Sequence, residues 1–150
     1  MPEKRNFTRR SGFRDSKLII IAAEGENTER IYFSGIKDFY ENARVHVEVL
    51  PRISSSDPLR VMEELNLFKT EYKLRKNLDQ LWLVIDVDRW GDKKLSKVSR
   101  LCAQKGYSLA VSNPAFEIWL LFHIQSLDCY TDKEKTELLQ NKKTGNRTRL

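Results

Sequence analysis

Apolar positions along the chain follow two alternating patterns. Lys17 to Ala23 (KLIIIAA) is a continuous apolar run, which predicts a strand buried on both faces. From Asn27 to Tyr40 the apolar residues fall at Ile31, Tyr32, Gly35, Ile36, Phe39 and Tyr40, spacings of three and four that predict one helical face. Arg44 to Leu50 alternates with period two and reads as a half-buried strand that Pro51 ends. Asp57-Pro58 then supplies an N-cap and a first-turn proline for a helix to about Lys76, with Leu59, Met62, Leu65, Phe68 and Tyr72 inward. Leu81 to Ile85 is a third strand, closed by Asp86-Val87-Asp88. Asp92 to Gln104 predicts a helix with Leu95, Val98 and Leu101 inward, stopped by Gly106. Tyr107 to Val111 is a fourth strand, and Asn113-Pro114 opens a helix running through His123, with Asn113 read as its cap ahead of the alternative, a donor to phosphate.

The order βαβαβαβα predicts an α/β domain: a mostly parallel four-stranded sheet with helices on both faces. The organisation expected is a basic arm (1–16), an α/β domain (17–130) and a polar, basic tail (131–150). In such open sheets the functional crevice lies beyond the carboxyl ends of the strands. That points to Glu24 onward, Asp86 onward and Ser112 onward.

Charge sharpens this picture. The 150 residues carry a net charge of +6. Residues 1–17 hold six bases against two acids, and 141–150 hold four bases and no acid, so the intervening body carries 17 bases and 19 acids. The basic arms, with Arg5, Arg9, Arg10, Lys142 and Lys143, suit a polyanionic partner; solvated chain ends are the plainer alternative. Neither apolar run approaches the ~18–20 residues of a membrane helix, and because no long apolar stretch with a small-residue cleavage site follows the basic N-terminus, a secretory signal is not expected. Cys102 and Cys129 form no disulfide framework or zinc cluster, so a reduced, cytoplasmic setting is expected.

The acids gather at the predicted strand ends: Glu24, Glu26 and Glu29 after the first, Asp86 and Asp88 after the third, Glu117 after the fourth. Converging carboxylates repel unless a cation or proton lies between them. Mg²⁺ or Mn²⁺, which take oxygen ligands, would suit Glu24, Asp86 and Asp88, provided the first and third strands are neighbours. Helix capping explains Glu29, and a turn explains Asp86 and Asp88, with no metal at all. Arg89 and Lys93 lie where they could neutralise a phosphate oxygen, or form a solvated helix start. Trp82 and Trp119 read as core, and Trp90 as a residue to test for nucleic-acid contact. His123 reads as partly buried and His46 as facing solvent. No phosphate-binding glycine loop is present, so an ATPase, if one is needed, is a separate chain.

Three segments together resemble the RloB family of small proteins found in restriction and abortive-infection loci. They are Glu24-Gly-Glu-Asn-Thr-Glu-Arg-Ile-Tyr-Phe33, Val84-Ile-Asp-Val-Asp-Arg89 and Ser112-Asn-Pro-Ala-Phe-Glu-Ile-Trp-Leu-Leu-Phe-His123. That family is similar to Toprim nucleases such as the OLD-type enzymes. The resemblance implies a Toprim-like fold, an essential acid at Glu24 and a metal-binding pair at Asp86 and Asp88, with Glu29 and Glu117 as further matched acids. It implies Mg²⁺-dependent phosphodiester hydrolysis of DNA or RNA in phage defence, and a longer C-terminal segment than the tail here. Two rivals stand beside it: a haloacid-dehalogenase-like phosphatase, which also uses Asp-x-Asp but normally after its first strand, and a non-catalytic subunit that binds nucleic acid or a protein partner. The sequence leaves oligomerisation open.

Overall fold

The computed structural model describes residues 4, 16–42, 44–52, 55–87, 90–140, 143–144 and 147–148. Four parallel strands, β1 (Lys17–Ala23), β2 (Val45–Val49), β3 (Gln80–Asp86) and β4 (Ser108–Ser112), form one sheet in the order β2-β1-β3-β4. Helices α1 (Thr28–Tyr40), α2 (Pro58–Glu71), α3 (Asp92–Lys105) and α4 (Phe116–Phe122) connect or follow them. The predicted α/β architecture, compatible with a Toprim-like fold, is therefore present.

The two sheet faces bury different residues, because successive side chains of a strand point to opposite sides. Leu18, Ile20 and Ala22 of β1 join Leu81, Leu83 and Ile85 of β3 beneath α2 and α3, against Val61, Met62, Leu65, Phe68, Val98 and Cys102. Ile21, Ala23, Val47 and Val84 face the other way, against Phe116 with Tyr32, Phe33 and Leu120 of α1 and α4. Near the amino-terminal ends of β1 and β3, Asp79 holds the sheet together. It is buried, its Oδ1 accepts from Leu18 N (3.0 Å) and its Oδ2 from Arg75 N (2.7 Å). Arg75 in turn donates to Ser16 O (2.5 Å).

Several local expectations are corrected. The second helix ends at Glu71 rather than near Lys76. Tyr72 is already extended, and the following segment turns back so that Arg75 N–H reaches Asp79. Helix α4 begins at Phe116 with Ala115 in the capping position, so Asn113 is not its cap; Asn113 and Pro114 form the bend after β4. Ile31, Phe39 and Tyr40 of α1 are exposed, and its inner face is Glu29, Tyr32, Phe33 and Ile36. The apolar pattern misjudged this rotation because a buried carboxylate occupies the first inward position. Trp119 is half exposed and His123 exposed rather than core, because α4 covers the sheet only with its Phe116 side.

Within the last 20 residues the chain forms a short helix, α5 (Asp132–Gln140), and a two-residue pairing of β5 (Lys143–Thr144) with β6 (Arg147–Thr148), elements the polar pattern did not predict. Among the described residues no helix is long and apolar enough to cross a membrane.

Candidate functional site

The strand order fixes where a site can form. From β1 the chain passes to β2 on one side, then crosses to β3 and β4 on the other, so the connections diverge between β1 and β3. At such a switch point the loops leave a crevice at the carboxyl ends of the strands. Glu24 and Asp86 lie there. The neighbour relation on which a shared site depends is met: Ala23 pairs with Val84, and Glu24 N donates to Val84 O (2.9 Å). Glu24 is buried, and its carboxylate is held on both oxygens. Oε2 accepts from Asp86 N (3.0 Å) and Oε1 from the indole Nε1 of Trp90 (3.0 Å).

A second buried acid flanks the first. Glu29, in the first turn of α1, folds back over Gly25, where a β-carbon would fall 1.7 Å from its Oε2. This explains the glycine inside Glu-Gly-Glu-Asn-Thr-Glu: only a residue without a side chain leaves room for that carboxylate. Burial, together with the nearby charges of Glu117 and Glu24, raises the Glu29 pKa above the ordinary glutamate value, against its own backbone N–H and Arg52, which lower it. Arg52, just past β2, donates to Glu24 O (3.2 Å) and pairs with the exposed Glu26 (2.6 Å).

Trp90 is fixed from behind. The ammonium of Lys94 lies 4.2 Å from its ring centroid and pairs with Asp57. Asp57 also caps α2, accepting from Leu59 N (2.9 Å). Burial alone would raise the Asp57 pKa, but hydrogen bonds from Lys94 and Leu59, with the charges of Lys94 and Arg60, lower it.

Of the residues singled out in the sequence, Glu24 and Asp86 adjoin, and Glu29 and Glu117 lie close enough to act electrostatically on one another. Lys93 is exposed at the start of α3. Asp88, Arg89, Arg5, Arg9, Arg10, Lys142 and the Lys143 side chain lie outside the described residues. Among the described residues no three carboxylate, imidazole or thiol groups form a ready metal cage. The donors that are described suit a hard cation in chemistry: carboxylate oxygens, one of them with a raised pKa that added positive charge would relieve. Sequence reasoning missed Arg52 and Lys94. The strand-end rule applied to β2 would have found the first, and the four-residue spacing from Trp90 the second. His46, expected to face solvent, is only partly exposed and pairs with Glu41 and, at 3.7 Å, Glu48.

Beside the crevice, an uncharged recess of about 680 Å³ runs over β3 and β4 between Trp82, Val84, Ala110, Phe116, Trp119 and Phe122. Within it Tyr32 links Trp119 and His123, accepting from Trp119 Nε1 (3.1 Å) and lying 3.1 Å from His123 Nε2.

No curated protein and no solved structure matches the chain significantly. The profile of the RloB-like protein family matches residues 19–148, which takes in the sheet except Lys17 and Leu18 at the start of β1, the crevice acids and the tail as far as β6. The chain is therefore a member of the RloB-like family.

Proposed function

We propose that the chain is a Mg²⁺-dependent nuclease that hydrolyses phosphodiester bonds of DNA or RNA in phage defence. The observation that carries this reading is the adjacency of Glu24 and Asp86 at the switch point of the sheet, with Glu29 buried beside them. In this reading Glu24, Asp86 and Asp88 hold the cation through carboxylate oxygens. A bound Mg²⁺ or Mn²⁺ supplies positive charge to the phosphoryl oxygens and lowers the pKa of a water. Glu29, whose carboxyl keeps its proton to higher pH than an ordinary glutamate, is suited to protonate the departing oxygen. Glu117 helps to keep that pKa raised. Arg5, Arg9, Arg10, Arg89, Lys93, Lys142 and Lys143 attract the polyanion, and a separate ATPase chain delivers it.

The test is cleavage of single- and double-stranded DNA and RNA by the purified chain with Mg²⁺ or Mn²⁺, alongside Glu24→Gln and Asp86→Asn. Metal-dependent cleavage lost in both variants supports the reading. Cleavage retained in both sinks it. Salt-sensitive binding with no turnover selects a non-catalytic nucleic-acid-binding subunit instead.

A further inference from the structure

We infer that Trp90 is a positioning residue for Glu24, and that Lys94, anchored on Asp57, holds its indole in place. This rests on the proposed role of Glu24 as a metal-binding acid. A glutamate side chain at the end of a strand has three free torsions, and one hydrogen bond leaves its carboxylate free to swing. Here two donors approach it from different elements: the Asp86 N–H at the end of β3 and the Trp90 indole on the way into α3, each at 3.0 Å. Together they fix both the position and the plane of the carboxylate.

The kind of donor matters. An indole N–H gives one hydrogen bond and carries no charge. It orients the carboxylate without itself neutralising it. A lysine or arginine there would form an ion pair and compete with a cation. The cation instead sits on the ring: Lys94 Nζ lies 4.2 Å from the indole centroid, four residues along the chain. A positive charge over the face draws electron density from the ring and makes its N–H a stronger donor. Lys94 is kept there by Asp57, whose other oxygen caps α2. The N-terminus of α2 is thus linked to Glu24 through Asp57, Lys94 and Trp90.

The test has two arms, both on the full chain. The first needs no metal. The chain has three tryptophans, so a ¹⁵N correlation spectrum has three indole N–H signals, and that of Trp90 is the one absent in Trp90→Phe. In Glu24→Gln the Trp90 signal should move and exchange faster with solvent, while those of Trp82 and Trp119 stay; Lys94→Met should move it less. The second arm is calorimetric titration with Mn²⁺ alone. Trp90→Phe keeps an aromatic ring under Lys94 but removes the N–H, and should weaken Mn²⁺ binding about tenfold, the lower end of what loss of an outer hydrogen bond to a metal ligand costs. Thermal stability should stay near that of the parent. A Trp90 signal unmoved in Glu24→Gln, or Mn²⁺ affinity unchanged in Trp90→Phe, overturns the inference. A parent chain that binds no Mn²⁺ refutes the metal reading itself, and the spectral arm still reports whether Trp90 holds Glu24.

Discussion

Replacing Gly25 by Ala should move Glu29 out of the crevice and leave the fold intact. A β-carbon on Gly25 would fall 1.7 Å from Glu29 Oε2, 2.1 Å from Cδ and 2.3 Å from Oε1. To reach even a 3.0 Å contact the carboxylate must retreat by more than about 1.3 Å. It is the far end of a flexible side chain, so it can swing away at little cost. Gly25 is not in the left-handed region, and a compatible Gly→Ala change stabilises by about 0.4–1 kcal/mol through the unfolded chain. The effect on pH dependence is opposite in kind. The Glu29 pKa is raised in the folded state, so the stability tied to its proton is full below the unfolded value near 4.5 and is lost as pH rises through the folded value. Each unit of that rise corresponds to about 1.4 kcal/mol. Urea denaturation from pH 4 to 8 should therefore show the parent losing stability across that window relative to Glu29→Gln. Gly25→Ala should follow Glu29→Gln, be at least as stable as the parent at pH 7, and fall to the Glu29→Gln level of nucleic-acid cleavage. A Gly25→Ala variant less stable by more than about 1 kcal/mol at pH 7, with the parent's pH slope unchanged, would refute the reasoning.

Two further substitutions test what supports the site. Asp57→Ala removes the α2 cap and the partner of Lys94, and should cost about 1–2 kcal/mol at pH 7. Because hydrogen bonds from Lys94 and Leu59 hold the Asp57 pKa down in spite of burial, that deficit should shrink as pH falls below 3.8; a deficit constant down to pH 2.5 would count against it. Asp79→Ala strands the Leu18 and Arg75 N–H groups and should cost about 2–4 kcal/mol in urea denaturation, with Asp79→Asn recovering part of it through its one amide oxygen.

Hydrophobic periodicity made the strands and most helices legible, because continuous apolar runs such as Leu18–Ala23 can be satisfied only by a sheet covered on both faces. It failed where a polar group took an inward position. The true inner face of α1 starts at Glu29, and apolar spacing alone rotated the helix toward Ile31 and Phe39. It also failed at the Asn113-Pro114 bend, where turn residues looked like a helix start. Glu24 and Asp86 were legible as strand-end acids, but their adjacency was not, since strand order is a property of the crossovers and not of any one segment. Trp90 was legible as a residue beside the site, but the hydrogen bond from its indole N–H to Glu24 was not, since no local pattern encodes it. Arg52 and Lys94 were silent because basic residues are common throughout this chain, and only their partners single them out.

Those partners give the crevice its electrostatic character. Arg52 extends past the acids of the β1 loop to Glu26 and touches Glu24 only at its carbonyl oxygen. Lys94 pairs with Asp57 and reaches Glu24 only through the Trp90 ring. Arg52 and Lys94 thus brace the frame around Glu24, and among the described residues a backbone amide and an indole N–H donate to its carboxylate. The Glu29 pKa is raised all the same: its burial, with the carboxylates of Glu117 and Glu24, outweighs its backbone N–H and Arg52, which lower it. Arg52 and Lys94 are engaged with Glu26 and Asp57, and Glu24 is held by two directional donors from β3 and the segment leading into α3. In the proposed nuclease, a divalent cation arriving with a phosphate would offset the repulsion between Glu24 and its neighbouring acids.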